Sequence, residues 1–279
     1  MAGALVRIKD GRIEVLTDPT VRCCPLRQDI YGCQEESRET VERSLREHMD
    51  VLGMYGPERV LEIQDRPVSF GASEIISDAM AEGLVDAAVV VCEGTGTVVV
   101  ARPDVLSAIG AHMTGLVRTD PIPEIQRGLT ERGCILLDGM GTIDQLQGFR
   151  EAAKAGFKKI VVTIAGKQAA EAKDLRGEGR RLDIEPTIFA VHTTGVDGEQ
   201  AARLAEDCDV VWSCASRWIR EVVGRRALLQ IGVSIPVYAL TRRGKALVLN
   251  RALNFDGGLV IHRATLPCLR ENRQPQPLQ

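Results

Sequence analysis

Aromatic side chains make up only 4% of this 279-residue sequence, and no apolar run approaches the ~20 residues needed to cross a bilayer. The second absence argues against a membrane-spanning helix. Charge of one sign is also missing, since 35 Lys and Arg face 38 Asp and Glu for a formal net charge of −3. That balance gives no electrostatic case for nucleic acid or an anionic membrane as a partner, and small-molecule chemistry is the better expectation. The opening MAGALVRIKDGRIEV alternates and carries charge, so a secretory signal is not expected and a cytoplasmic location is. In that compartment eight cysteines read as free thiols, metal ligands or catalytic groups and not as a disulfide framework.

What is abundant is Val, Ile, Leu and Ala. Ala4 to Leu16 alternates around Asp10-Gly11, a pair suited to a tight turn, and predicts an N-terminal β-hairpin. A cysteine-bearing loop from Arg22 to Gly32 and a charged helix from Ser37 to Leu52, stopping near Gly53, complete a first unit of residues 1–68. From Ser69 onward apolar, β-branched runs alternate with helical patterns. Strands are expected at Ala87 to Cys92, Ile135 to Asp138, Ile160 to Ile164, Thr187 to His192 and Asp209 to Cys214. Helices are expected at Ser73 to Glu82, Pro103 to Ala111, Pro121 to Arg132, Ile143 to Ala155, Gln168 to Leu175 and Glu199 to Glu206. The rhythm predicts an α/β fold, a predominantly parallel sheet with helices on both faces, over residues 69–262. The charged, glycine-bearing stretch of residues 173–185 reads as an exposed loop or as a boundary between two similar halves. Residues 263–279 lack apolar periodicity and read as a disordered tail.

Ligands of parallel sheets gather beyond the carboxyl ends of the strands. Four chemistry-bearing residues fall there: Cys92, Asp138, His192 and Cys214. Gly94, Thr95, Gly96 and Thr97 follow the first of them; glycines permit close backbone approach and hydroxyls bond anionic oxygens, although a tight turn between two strands explains the same residues. Thr193, Thr194 and Gly195 follow His192 and precede a helix beginning near Asp197, where an anion could meet the helix amino terminus. His192 itself suits proton transfer, or is a buried histidine bonded to backbone. Asp138 binds substrate or stabilises the next turn, while Asp144 reads as a helix cap. Ser73 caps a helix or helps hold an anion. Arg217 and Arg220, three residues apart on one helical face, neutralise an acidic substrate or face solvent. Cys24, in the irregular Cys23-Cys24-Pro25 loop, could meet Cys92 and Cys214 across the sheet edge. Together they would give a metal, or one iron of an iron–sulfur cluster, three thiolates and an open position; the alternative is that each is a small apolar core residue. Cys134, Cys208 and Cys268 read as structural.

Several of these segments, Cys24-Pro25-Leu26, SFGASEII from Ser69, VVCEGTGTV from Val90, GLVRTDPIPEI from Gly115, FAVHTTG from Phe189, CASRWIRE from Cys214 and LLQIGVSIPVYALT from Leu228, resemble the methanogenesis marker protein 8 family, over roughly Ala4 to Leu249. The resemblance implies a role in coenzyme M-linked metabolism. Added to the thiols, it leads us to expect an enzyme acting on a small anionic molecule, such as a sulfonate, by redox or sulfur-transfer chemistry, or else a non-catalytic assembly or ligand-binding factor for the methyl-coenzyme M system with a protein partner. A fainter resemblance, SEIISDAMAEGLVDAAVVV with GMGTIDQLQGFR, is to the beta subunit of deazaflavin-reducing hydrogenase and implies flavin and iron–sulfur chemistry.

Overall fold

Alternation along each central strand sends successive side chains to opposite sides of one sheet, and two separate cores result. In the computed structural model, which describes residues 1–111 and 115–279, Ala88, Val90 and Cys92 of β3 (Ala87–Cys92) join one core while Ala87 and Val89 join the other. β6 (Ile160–Ala165), β7 (Thr187–Val191) and β8 (Val210–Trp212) divide in the same way. The first core is closed by α3 (Ala72–Ala81), α4 (Pro103–Gly110), α5 (Pro123–Glu131) and α9 (Arg242–Leu253). The second is closed by α6 (Gln145–Lys154), α7 (Ala170–Leu182), α8 (Gly198–Asp207) and a π-helical turn over Ile219–Val223. The expected α/β fold with helices on both faces is therefore observed.

The sheet is mixed. Its eight strands run in the order β5-β4-β3-β6-β7-β8-β10-β9, where β4 is Gly96–Val100, β5 Ile135–Leu136, β9 Leu229–Ile231 and β10 Val237–Ala239. Among the described residues β3, β6, β7 and β8 are mutually parallel, and the pairs on either flank are antiparallel. The departure from a mainly parallel sheet has a local cause. After β3 the chain does not enter a crossover helix but turns back at once through Glu93-Gly94-Thr95, pairing Cys92 with Gly96.

The N-terminal hairpin forms as expected from β1 (Val6–Lys9) and β2 (Arg12–Val15), and α2 (Arg38–Leu52) lays Val41 and Leu45 on its inner face. A reciprocal cap between Ser37 and Thr40 starts α2, and Gly53 at φ 60 stops it. The short α1 (Pro25–Tyr31) carries the cysteine loop.

Two expectations are corrected. The charged stretch of residues 173–185 is neither loop nor domain boundary, because most of it continues α7. Ala172, Leu175 and Gly179 face the core while Glu178 pairs with Arg150 and Arg181. Gly179 marks a close approach, since a Cβ there would lie 2.6 Å from the Ile184 carbonyl oxygen. The C-terminal stretch is not a free tail either. Cys23 and Gln276 exchange backbone hydrogen bonds of 3.1 and 3.0 Å, Gln279 N–H donates to Ala215 O at 2.8 Å, and the Gln274 amide is buried against Arg220. Apolar periodicity could not reveal a segment held by polar backbone pairing.

Candidate functional site

The β3–β6 ladder ends at Val89 opposite Val162, whereas β6 and β7 stay paired as far as Ala165 and Val191. β3 and β6 therefore separate at their carboxyl ends. The chain leaves β3 towards β4 and leaves β6 towards β7, so the split lies where the winding reverses, which is where open α/β sheets place ligands. Gln145, the first residue of α6, wedges the split. Its amide nitrogen donates to Val89 O and Thr163 O at 3.2 and 2.6 Å, and its carbonyl accepts the Thr97 hydroxyl at 2.7 Å.

Above this wedge lies a cavity of about 120 Å³, room for a ligand of a few heavy atoms and well below the ~300 Å³ at which drug-sized pockets begin. Its walls are mainly apolar, from Ile76, Leu106, Ile109, Ile164 and Val191, and its polar contributors are Ser73, Glu93, Gln145, Thr163, Gln168 and His192. Most of these are already committed. Ser73 donates to Glu74 at 2.8 Å, Thr163 donates to Val89 O, and Gln168 donates to Glu171. Glu93 accepts from Arg59 at 2.5 Å and from the Cys92 thiol at 3.5 Å. Arg59 is completed by the carbonyls of Val60 and Ala108, and the Arg59–Glu93 pair is almost fully buried. Burial also raises the Glu74 carboxyl above its usual range.

His192 is different. Among the described residues nothing hydrogen-bonds its ring nitrogens, and Gly115 passes over the ring where a Cβ would lie 3.3 Å from Cγ. The imidazole is half-buried at the cavity wall, and desolvation pushes its pKa down to about 4, leaving it neutral near pH 7 with one nitrogen able to accept and the other to donate. Its backbone sits at φ 53, and Cys214, which follows the neighbouring strand, sits at φ 41. Two non-glycine residues in the left-handed region at adjacent strand ends are a costly arrangement of the kind that concentrates at functional sites.

The other expected site residues divide. Cys24 and Cys214 share one neighbourhood: after burial and two backbone amides, the Cys214 charge is among the influences on the Cys24 thiol, and both residues act on Arg220. Cys92 does not join them. It is fully enclosed in the first core, and burial, followed by the Glu93 charge, holds its thiol protonated. Among the described residues no group of three or more His, Cys, Asp or Glu is placed to hold a metal, so the three-thiolate arrangement is not formed. Asp138 is spent on its own turn, accepting from the Met140 and Thr142 amides at 2.8 and 3.4 Å, with its pKa lowered first by the Thr142 hydroxyl. It stands beyond the β5 edge strand, away from the cavity. Asp144 caps α6 by accepting from the Gln147 amide.

The Gly94 to Thr97 segment is a hairpin turn in which, among the described residues, the buried Thr95 hydroxyl is the group without a hydrogen-bond partner. Gly94 N–H donates to Thr119 at 2.7 Å, Gly94 O accepts from Ile122, Thr97 N–H donates to Thr142 O, and the Thr95 and Thr97 side chains are buried. Thr193 donates to Trp212 O, and Thr194 accepts from the Ala215 amide. Gly195 is exposed at φ 76. Ser73 reaches the cavity but does not cap α3, whose cap position is Gly71. Arg217 is exposed over the Trp218 ring, while Arg220 is buried and bonded to the carbonyls of Ser213, Ser216 and Ser234, so the two do not form one cationic face. Neither Lys nor Arg is among the described residues lining the cavity, and the positive charge that His192 feels there is that of the Met1 amino terminus.

Sequence reasoning passed over Glu93, Arg59, Gln145, Thr163 and Gln168. Glu93 carried one usable signal, a lone carboxylate at the end of a wholly apolar strand. Arg59, in the irregular stretch before Ser69, carried none.

The family model described as an uncharacterized protein conserved in archaea (DUF2099) matches residues 1–253. A curated relative, Uncharacterized protein MJ0054 of Methanocaldococcus jannaschii, is 31% identical over 277 residues, covering 99% of this chain and 96% of the relative. Match and identity extend well beyond the sheet edge just described, and on them the chain belongs to this conserved archaeal family.

Proposed function

We propose that this protein is an enzyme of coenzyme M-linked metabolism that binds the reacting end of a small molecule in the cleft between β3 and β6 and exchanges a proton with it through His192. One observation carries the reading: a neutral imidazole, without a hydrogen-bond partner among the described residues, faces a largely apolar cavity whose other polar side chains are engaged. Such a group can accept a proton or donate a hydrogen bond without first losing a protein partner. The metabolic setting rests on the family resemblance of the segments around Cys24, Ser69, Val90, Gly115, Phe189, Cys214 and Leu228. The thiols of Cys24 and Cys214 on the same edge favour redox or sulfur-transfer chemistry. With no Lys or Arg among the described lining residues, an uncharged reacting end fits the cavity better than an anionic one.

The test is an NMR titration of histidine ring resonances with coenzyme M and with 2-mercaptoethanol, its uncharged counterpart. The uncharged thiol should move the His192 resonances, and His192→Gln should weaken its binding by about tenfold or more, roughly 1.4 kcal/mol. Unmoved His192 resonances with both compounds, in folded protein, would sink the proposal.

A second reading, an assembly or ligand-binding factor for the same system, is favoured by the exposed apolar side chains of Leu253, Val260 and Ile261, because such residues mark protein contacts when they cluster. Recovery of a stoichiometric partner, with no conversion of small thiols by the isolated chain, would select it.

A further inference from the structure

Outside the cavity the sheet edge holds a pair of thiols that the His192 reading does not use. Cys24 precedes α1 and Cys214 follows β8, yet one short stretch of chain ties their surroundings together. Gln276 is paired with Cys23, the neighbour of Cys24, and Gln279 is paired at its N–H with Ala215, the neighbour of Cys214, and at its carbonyl with the Arg217 amide. Three residues of extended chain reach about 10 Å, so the two backbones are held close by contacts independent of the thiols. The Cys214 charge reaches the Cys24 thiol, and both residues act on the buried Arg220 guanidinium. Neither is sealed: both residues are half-buried, in contrast to Cys33, Cys92, Cys134 and Cys208, which are buried. Burial raises the Cys24 thiol, with the Arg27 and Leu26 amides at the start of α1 acting against it. No third His, Cys, Asp or Glu among the described residues joins the pair to make a metal site.

We propose that Cys24 and Cys214 are a redox-active dithiol that exchanges with low-molecular-weight disulfides. One protein thiolate attacks a sulfur of the small disulfide, breaking its S–S bond and releasing one small thiolate, and a mixed disulfide forms. The second protein thiolate then attacks the protein-bound sulfur, expelling the other small thiolate and closing the Cys24–Cys214 bond. The two protons lost by the protein thiols end on the two small thiols, so the protein is oxidised by two electrons and the small disulfide is reduced by two. The reverse sequence, from the oxidised protein and two small thiols, regenerates the dithiol. The left-handed backbone at Cys214 holds that residue in a conformation few side chains adopt, a restriction suited to presenting a sulfur from a strand end. This inference shares an edge of the sheet with the His192 reading but does not need a ligand in the cavity.

The test uses the full chain carrying Cys23→Ser and Cys268→Ser, which removes the adjacent thiol and the exposed one. Anaerobic treatment with oxidised glutathione should consume one equivalent per chain and release two of glutathione. The product should lack two hydrogen atoms, carry no adduct and yield one cross-linked peptide joining Cys24 to Cys214, cleaved again by dithiothreitol. Adding Cys214→Ser should instead leave a stable glutathione adduct on Cys24, and adding Cys24→Ser one on Cys214. A wild-type chain mapped in parallel guards against a folding defect in the variants. Separate adducts on Cys24 and Cys214 without a cross-link, or a cross-link from Cys214 to any other cysteine, would overturn the assignment. Cross-linking in a protein whose His192 resonances ignore small thiols would defeat the cavity reading alone.

Discussion

Two turns at the same sheet edge look alike in the sequence and behave differently in the fold. Glu93 to Thr97 and His192 to Gly195 each follow an apolar strand and each combine threonine with glycine. In the first turn the Gly94 and Thr97 amides, the Gly94 carbonyl and the Thr97 hydroxyl all have protein partners. In the second the threonines are engaged, and among the described residues the imidazole is not. Composition names the groups available, but only hydrogen-bond accounting shows which remain for a ligand. The first turn is framework and the second holds the candidate chemistry.

The largest expected effect comes from the charge beneath the first turn. Arg59→Ala would leave the Glu93 carboxylate buried and unpaired, and should cost about 3–5 kcal/mol in urea unfolding. A loss below 1 kcal/mol would show that water reaches Glu93 and that this turn is less closed than described. Next, Gly96→Ala meets the Thr142 carbonyl oxygen at 2.3 Å with φ 78, whereas Gly195→Ala at φ 76 meets nothing nearer than 3.6 Å. The first substitution should lower stability by about 2–4 kcal/mol and the second by about 1–2 kcal/mol, the left-handed backbone being common to both and the overlap to one. Equal losses would erase the distinction. Third, Thr97→Val removes a donor to Gln145 and an acceptor for the Asp144 amide, about 1–3 kcal/mol, while Thr194→Val removes a single acceptor, about 1 kcal/mol.

At neutral pH the smallest effect belongs to His192, which acts through a pH slope. The folded pKa of His192, about 4, lies below its unfolded value of 6.5, so as pH falls the unfolded chain binds the proton first. The stabilisation associated with a neutral His192 is complete above pH 6.5 and is lost between pH 6.5 and about 4. His192→Gln should flatten the stability curve in that window by at most one proton, about 1.4 kcal/mol per pH unit. An unchanged slope would mean that His192 titrates as it does in water, which would also remove the electrostatic part of the proposed role.

Much of the fold was legible because its causes are periodic. The unbroken apolar run from Ala87 to Cys92, the Ser37 and Asp144 caps and the Gly53 stop are local signals that packing leaves in place. The flanking antiparallel pairs were less legible, since Gly94 to Thr97 is equally compatible with a hairpin and with a ligand loop until Val98 to Val100 is seen to pair with β3. α7 was misread because glycine and charge are loop signals, whereas here Gly177 and Gly179 lie inside a helix whose charges pair along its outer side. At the site, the strand-end positions of His192 and Cys214 were accessible to sequence reasoning, while Cys92 was misassigned because the period-2 pattern places it on a buried face. Arg59 could not be matched with Glu93 at all, for their meeting depends on the route of an irregular segment.

The pairing of Cys23 with Gln276 joins residues from opposite extremes of the chain. Loop closure over such a separation is entropically expensive and slow compared with the local contacts that build β3–β4 or β6–β7. The central sheet should therefore be in place before this clasp fastens, and the surroundings of Cys24 and Cys214 should be the last part of the molecule to acquire their final geometry and the first to relinquish it.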